Sequence, residues 1–185
     1  MNQAFAVWLT GPPASGKSAI ARELKSRLAA TGLEVEVLES DAVRQVITPQ
    51  PTYRPDERDL FYRALAFSGS RLVSHGVPVI FDATANRRAH RDLARTLIPN
   101  FIEVMVACPV EICRQRDRKG TYRRGLEGES STVPGLQEPY EPPLQPEVEI
   151  DTTQLGPGDA AERILEVLQG RGYLQAARVS ADWPL

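Results

Sequence analysis

Gly11-Pro12-Pro13-Ala14-Ser15-Gly16-Lys17-Ser18 decides how this chain is read. The stretch matches G-x-x-x-x-G-K-[ST] without a gap. The apolar run Phe5-Ala6-Val7-Trp8-Leu9 precedes it and reads as a buried strand. Ala19 to Ala30 follows as a helix, with Ile20, Leu24 and Leu28 on one face. Glycines let such a loop curl so that its N–H groups point inward at phosphate oxygens, and the new helix adds the positive end of its dipole. Lys17 is expected to reach the β- and γ-phosphates, and the Ser18 hydroxyl to ligate Mg²⁺. The bland alternative is a glycine-rich turn that fits the pattern by accident. All eight positions in register, with strand and helix on either side, outweigh it. The loop announces a nucleoside triphosphate but says nothing of the phosphate's destination.

The chain's 185 residues suit one α/β domain with a sizeable core, here residues 1–174 followed by a loosely ordered tail over 175–185. A net charge of −2 argues against a long nucleic acid or a membrane surface as partner. No apolar run is long enough to span a bilayer, and no signal peptide is expected, because the first strand begins almost at once. Cys108 and Cys113 form neither a disulfide framework nor a zinc pattern. Idle thiols point to the reducing cytoplasm.

Strand and helix signals alternate. Glu34 to Leu38, Val77 to Phe81, Phe101 to Ala107 and Val148 to Asp151 read as further strands. Helices are expected over Asp41 to Ile47, Asp56 to His75, Arg87 to Leu97, from Pro109 onward, and over Ala160 to Leu168. Gly120 to Pro146 is rich in Gly, Pro, Ser and Glu and too long for an ordinary connector, so it reads as a lid. The expected fold is α/β of the P-loop NTPase type: a parallel five-stranded sheet, helices on both faces, and a lid loop. Ligands then gather at the carboxyl ends of the strands.

Polar clusters fall at those ends. Glu39-Ser40-Asp41, followed by Arg44, lies where a carboxylate can accept an acceptor hydroxyl's proton. The plain alternative is that Ser40 or Asp41 only caps a helix, and the two roles are compatible. Asp82-Ala83-Thr84-Ala85-Asn86 offers an acid for Mg²⁺ through water and an asparagine to cap the next helix. Arg114, Arg116, Arg118, Lys119, Arg123 and Arg124 run into the lid, where cations stabilise a transferring phosphoryl group; a solvated basic face accounts for some of them. Arg87, Arg88, His90, Arg91 and Arg95 read mainly as an exposed helix surface.

Read together, these segments resemble the adenylylsulfate kinase family. The resemblance is carried by Cys108-Pro109-Val110-Glu111-Ile112-Cys113, Gln115-Arg116-Asp117, Lys119-Gly120-Thr121-Tyr122 and Gly135-Leu136-Gln137-Glu138-Pro139-Tyr140. Leu38-Glu39-Ser40-Asp41-Ala42-Val43-Arg44 is similar to the family's Leu-Asp-Gly-Asp-x-Val-Arg, and Tyr53 with Asp56-Glu57-Arg58 to its Phe-Ser-x-x-Asp-Arg region. The resemblance implies an ATP-dependent kinase that phosphorylates the 3′-hydroxyl of adenylyl sulfate in sulfate assimilation, with ATP and Mg²⁺ as cofactors and a homodimer as one family arrangement. It implies that Asp41 is the general base and that Arg44 and Arg58 hold the phosphosulfate. It also implies that Tyr53 stacks on the substrate adenine and that Arg116 and Lys119 lie near the ATP base and the lid hinge. The metal would fall to Ser18 and Asp82.

Departures from the family fall on acceptor positions. Val133-Pro134 stands where the family's Gly-Phe-Thr-Gly lid motif has a stacking phenylalanine, and Phe61 stands where it has an asparagine. Asp82 to Asn86 replaces the family's Ser-Phe-Ile-Ser-Pro and is similar to polynucleotide kinases and related small P-loop kinases. Other acceptors therefore stay open: another nucleotide, or a nucleic-acid 5′-hydroxyl. So does a nucleotide-binding module without transfer, which intact Lys17, Ser18 and Asp41 disfavour.

Overall fold

The computed structural model describes residues 3–174; the expected tail at 175–185 lies outside the described residues. Five parallel strands form one sheet in the order β2-β3-β1-β4-β5. They are β1 (Ala6–Thr10), β2 (Glu36–Glu39), β3 (Val79–Asp82), β4 (Phe101–Ala107) and β5 (Val148–Asp151). Every residue of β1 is buried, as a central strand covered on both faces requires.

Alternation along β1 splits the core in two. Phe5, Val7 and Leu9 point to the face covered by α1 (Lys17–Ala30) and α7 (Pro157–Gly170), where Ile20, Leu24, Leu28, Ile164 and Leu168 are buried. Ala6 and Trp8 point to the face covered by α3 (Pro55–Ser74) and α4 (Arg88–Leu97), against Phe61, Leu65, Phe81 and Phe101. The Trp8 indole stacks on Phe81 with centroids 4.4 Å apart and donates to the Ala83 carbonyl at 3.0 Å. That buried bond satisfies the ring N–H and pins the end of β3. Gly69 of α3 lies so close over Phe81 that any Cβ there would run into the ring.

Several boundaries moved from the sequence reading. α1 starts at Lys17, because helical geometry begins inside the phosphate loop. β3 starts at Val79, after Pro78, which carries no N–H for a ladder. α3 begins at Pro55, one residue before the expected Asp56, and proline suits a first helical position. α2 (Ser40–Ile47) takes Glu39 as N-cap with no side-chain cap bond, so neither Ser40 nor Asp41 caps it. Arg87, not Asn86, is the N-cap of α4.

Pro109 is the N-cap of α5 (Val110–Gln115). The expected lid loop contains a further helix, α6 (Thr121–Leu126). Asp117, just upstream, makes it possible: its carboxylate accepts from the backbone N–H groups of Thr121, Tyr122 and Arg123 at 2.8–3.1 Å, serving the orphan donors of the first turn.

Candidate active site

A cavity of about 1200 Å³ opens at the carboxyl ends of the strands, where β1 stands between β3 and β4 and the direction of winding changes. Its floor is the phosphate loop. Gly11 passes so near β4 that a Cβ would collide with the Val106 carbonyl oxygen, and Gly16 (φ 107°) adopts backbone that side chains disfavour. Pro12 and Pro13 stiffen the entry. Ala14 stands at φ 58°, giving the alternation of turns that aims amides inward. Ser15 is fully buried, and its carbonyl accepts from the Thr152 hydroxyl at 2.9 Å, which braces the loop from behind.

Lys17 is nearly buried. Its ammonium donates to the Gly11 and Pro12 carbonyls at 3.0 and 2.8 Å. Burial pulls its pKa down to about 8, while Asp82 and Asp41 push the other way. Ser18 and Asp82 share the cavity wall with Lys17 and also line an adjoining pocket of about 320 Å³. Burial raises the Asp82 carboxyl above its ordinary range, partly offset by the Ser18 hydroxyl and Lys17. Hard oxygens of this kind suit Mg²⁺, which keeps several waters and needs few protein ligands. The described residues hold no cluster of three His, Cys, Asp or Glu side chains fit for a metal.

Asp41 faces the same cavity from the first turn of α2, free of capping duty. Lys119 reaches it across the opening, donating to Asp41 Oδ2 at 2.6 Å and Glu39 Oε1 at 3.3 Å. These acids raise the Lys119 pKa, Asp41 foremost. Arg116 lies on the other flank, donating to the Thr152 hydroxyl and carbonyl, each at 3.1 Å, beside the end of the phosphate loop.

Arg44, Tyr53 and Arg58 make the third wall. Arg44 is almost buried: its guanidinium carbon sits 3.7 Å from the Phe61 ring centre and 5.0 Å from that of Tyr53. Phe61 is therefore wholly buried beneath Arg44, not a lining residue. A desolvated cation–π contact of this kind is worth about 2 kcal/mol and fixes the plane of the guanidinium. Tyr53 is held at φ 54°, a costly conformation for a bulky residue. Its N–H donates to Glu57 at 3.2 Å and its carbonyl accepts from Arg58 Nε at 2.9 Å. Val133 touches the cavity but is buried with Cys113 and Tyr122 in a small lid core.

Other residues escaped the sequence reading. Tyr122 donates to the Pro13 carbonyl at 3.2 Å, tying α6 to the phosphate loop; the Lys119-Gly120-Thr121-Tyr122 run was its only signal. His90 and Arg91, expected on an exposed surface, are buried: His90 pairs with Asp59 at 2.8 Å, and Arg91 with Glu103 at 2.6 Å. Cys108 and Cys113 are free and buried, with burial pushing the Cys113 thiol up to about 12.

The chain is similar to proteins of one family. A family model described as adenylylsulphate kinase matches residues 3–151. An adenylyl-sulfate kinase of Synechococcus sp. is 38% identical over 169 residues, covering 91% of this chain and 96% of the relative. That of Microcystis aeruginosa is 37% identical over 171 residues, covering 92% and 94%. The solved Mycobacterium tuberculosis APS kinase in complex with AMPPNP and APS superposes with a TM-score of 0.85 at 27% identity, covering 91% of this chain and 99% of that one.

Proposed function

This chain belongs to the adenylylsulphate kinase family, and on that premise we propose how its cavity transfers the γ-phosphoryl group of ATP to the 3′-hydroxyl of adenylyl sulfate. The observation that carries the reading is the meeting of two sets of groups in one cavity. Lys17 and Ser18 face Asp41 there, with two buried guanidiniums, Arg44 and Arg58, on the acceptor side.

The phosphate loop binds the triphosphate through its amides, and Lys17 exchanges its loop carbonyls for phosphate oxygens. Arg116 flanks the nucleotide. Arg44 and Arg58 hold the acceptor's phosphosulfate as charge-assisted donors, and Tyr53 stacks on its base. Asp41 accepts the proton of the attacking 3′-hydroxyl. The new bond from that oxygen to the γ-phosphorus forms as the bond to the β,γ-bridging oxygen breaks, and ADP leaves. Lys119, released from Asp41 as the acceptor enters, offers its charge to the transferring group. Ser18 and, through water, Asp82 would hold Mg²⁺, which would supply positive charge to the triphosphate. The lid over residues 120–146 excludes water that would waste ATP. The product serves sulfate assimilation, and the idle thiols support a cytoplasmic setting.

A coupled assay of ADP release over a panel of hydroxyl acceptors tests this. Strong stimulation by adenylyl sulfate is expected. Stimulation only by a cytidine nucleotide or an RNA 5′-end would keep the fold and overturn the acceptor.

A further inference from the structure

Arg58 is held from three directions. Its Nε donates to the Tyr53 carbonyl at 2.9 Å, one terminal nitrogen to the Thr132 carbonyl in the lid, and the other to Asn86 Oδ1 at 3.4 Å. Two of these acceptors are backbone. Asn86 is, among the described residues, the one side chain that accepts a hydrogen bond from the guanidinium, which also lies over the Tyr53 ring at 5.4 Å from its centre. It is itself almost fully buried and does not cap α4.

The turn that presents Asn86 is built for the purpose. Ala85 stands at φ 42°, which a residue with a Cβ adopts only when its surroundings force it. Both of its backbone groups are taken: its N–H donates to the Tyr62 hydroxyl at 3.0 Å, and its carbonyl accepts from Arg91. Arg91 is anchored in turn by Glu103 at 2.6 Å and donates to the Glu141 carbonyl at 2.7 Å. Asn86 closes the circle toward the lid. Its amide donates to the Pro139 carbonyl at 3.2 Å, and its own carbonyl accepts from Glu141 N–H at 2.8 Å. One asparagine thus contacts an acceptor-side arginine and the return limb of the lid.

We propose that Asn86 is a positioning residue for the acceptor's anionic group, aiming Arg58 through its side-chain carbonyl while its amide registers the lid against the same point. The proposal rests on Arg58 as an acceptor ligand. The contact is at the long end of hydrogen bonding, so its loss is expected to be felt as roughly a fivefold to tenfold change.

The test is steady-state kinetics with adenylyl sulfate and ATP varied separately, alongside limited proteolysis of the lid. Arg58→Ala should raise the acceptor KM on the order of a hundredfold. Asn86→Ala should raise it by about tenfold with the ATP KM unchanged. Asn86→Asp keeps an acceptor for Arg58 but no donor for Pro139, so the acceptor KM should stay within about threefold while the lid is cleaved faster. An Asn86→Ala enzyme with a normal acceptor KM, or with both KM values raised alike, overturns the proposal, provided Arg58→Ala has its effect. If Asn86→Ala does not fold, Asn86→Asp decides: a raised acceptor KM with an unaltered lid overturns it. An ordinary acceptor KM in Arg58→Ala removes the reading of Arg58 itself.

Discussion

The Lys119 ammonium lies 2.6 Å from the Asp41 carboxylate, joining the root of the lid to the start of α2 across the mouth of the cavity. Both side chains are largely exposed, at 63% and 60%. An ion pair so well solvated adds about 0–1 kcal/mol to stability, so its value lies in the reaction. Lys119→Ala should leave thermal stability nearly unchanged and lower turnover on the order of a hundredfold. A drop in melting temperature with normal turnover would mean that the pair is only structural.

Asp41→Asn should cut kcat by roughly two to four orders of magnitude, because it keeps the shape and removes the base. Asp41 makes no capping bond in α2, so the fold should survive. A loss below about tenfold would pass the base to Glu39 or Asp82.

Lys17 gives a pH signature. Its pKa of about 8 is set by burial among loop carbonyls, and a bound triphosphate raises it. Below that value Lys17 is already charged, and binding should take up no proton through it. Above it, binding an ATP analogue should draw in up to about one proton at roughly pH 9, and affinity should fall as pH rises. Calorimetry in buffers of different ionisation enthalpy reads the uptake. Lys17→Arg stays charged and should abolish it; equal uptake in that variant would contradict the assignment.

Gly69→Ala tests the packing that carries the acceptor wall. Alanine favours a helix over glycine by about 1 kcal/mol. Here its Cβ would strike the Phe81 ring, so α3, which carries Arg58 and Phe61, must shift. Net destabilisation by about 1–3 kcal/mol is expected in denaturant unfolding. Stabilisation would mean that α3 does not sit this close.

Val133→Phe places an aromatic where the family has one. Val133 is buried against Cys113, Tyr122 and Leu136, with Gly125 close by. Phenylalanine should overpack that small core, speed cleavage between residues 120 and 146, and raise the acceptor KM. A lower KM would mean that the ring turns into the cavity and stacks on the base.

The phosphate loop was legible because its eight residues are contiguous and its flanking strand is apolar throughout. Asp41, Arg44 and Arg58 were legible as motif residues, though not as neighbours. What the chain hid depends on partners far away in sequence. Arg91 and His90 lie on a helix that looks predominantly basic, and Glu103 on β4, Asp59 on α3 and the Ala85 and Glu141 carbonyls make their burial tolerable. Phe61 passed for a pocket residue, since nothing local reveals that Arg44 covers it. α6 was lost in a stretch of loop-like composition, because its capping carboxylate, Asp117, stands outside it.

Transfer of labelled γ-phosphate from ATP to adenylyl sulfate, with the position of the label determined, tests the central claim most directly. The account predicts label on the 3′-oxygen, one ADP per product, and no transfer to the 3′-deoxy analogue. Label elsewhere on the nucleotide, or equal ATP consumption with the 3′-deoxy analogue, would contradict it.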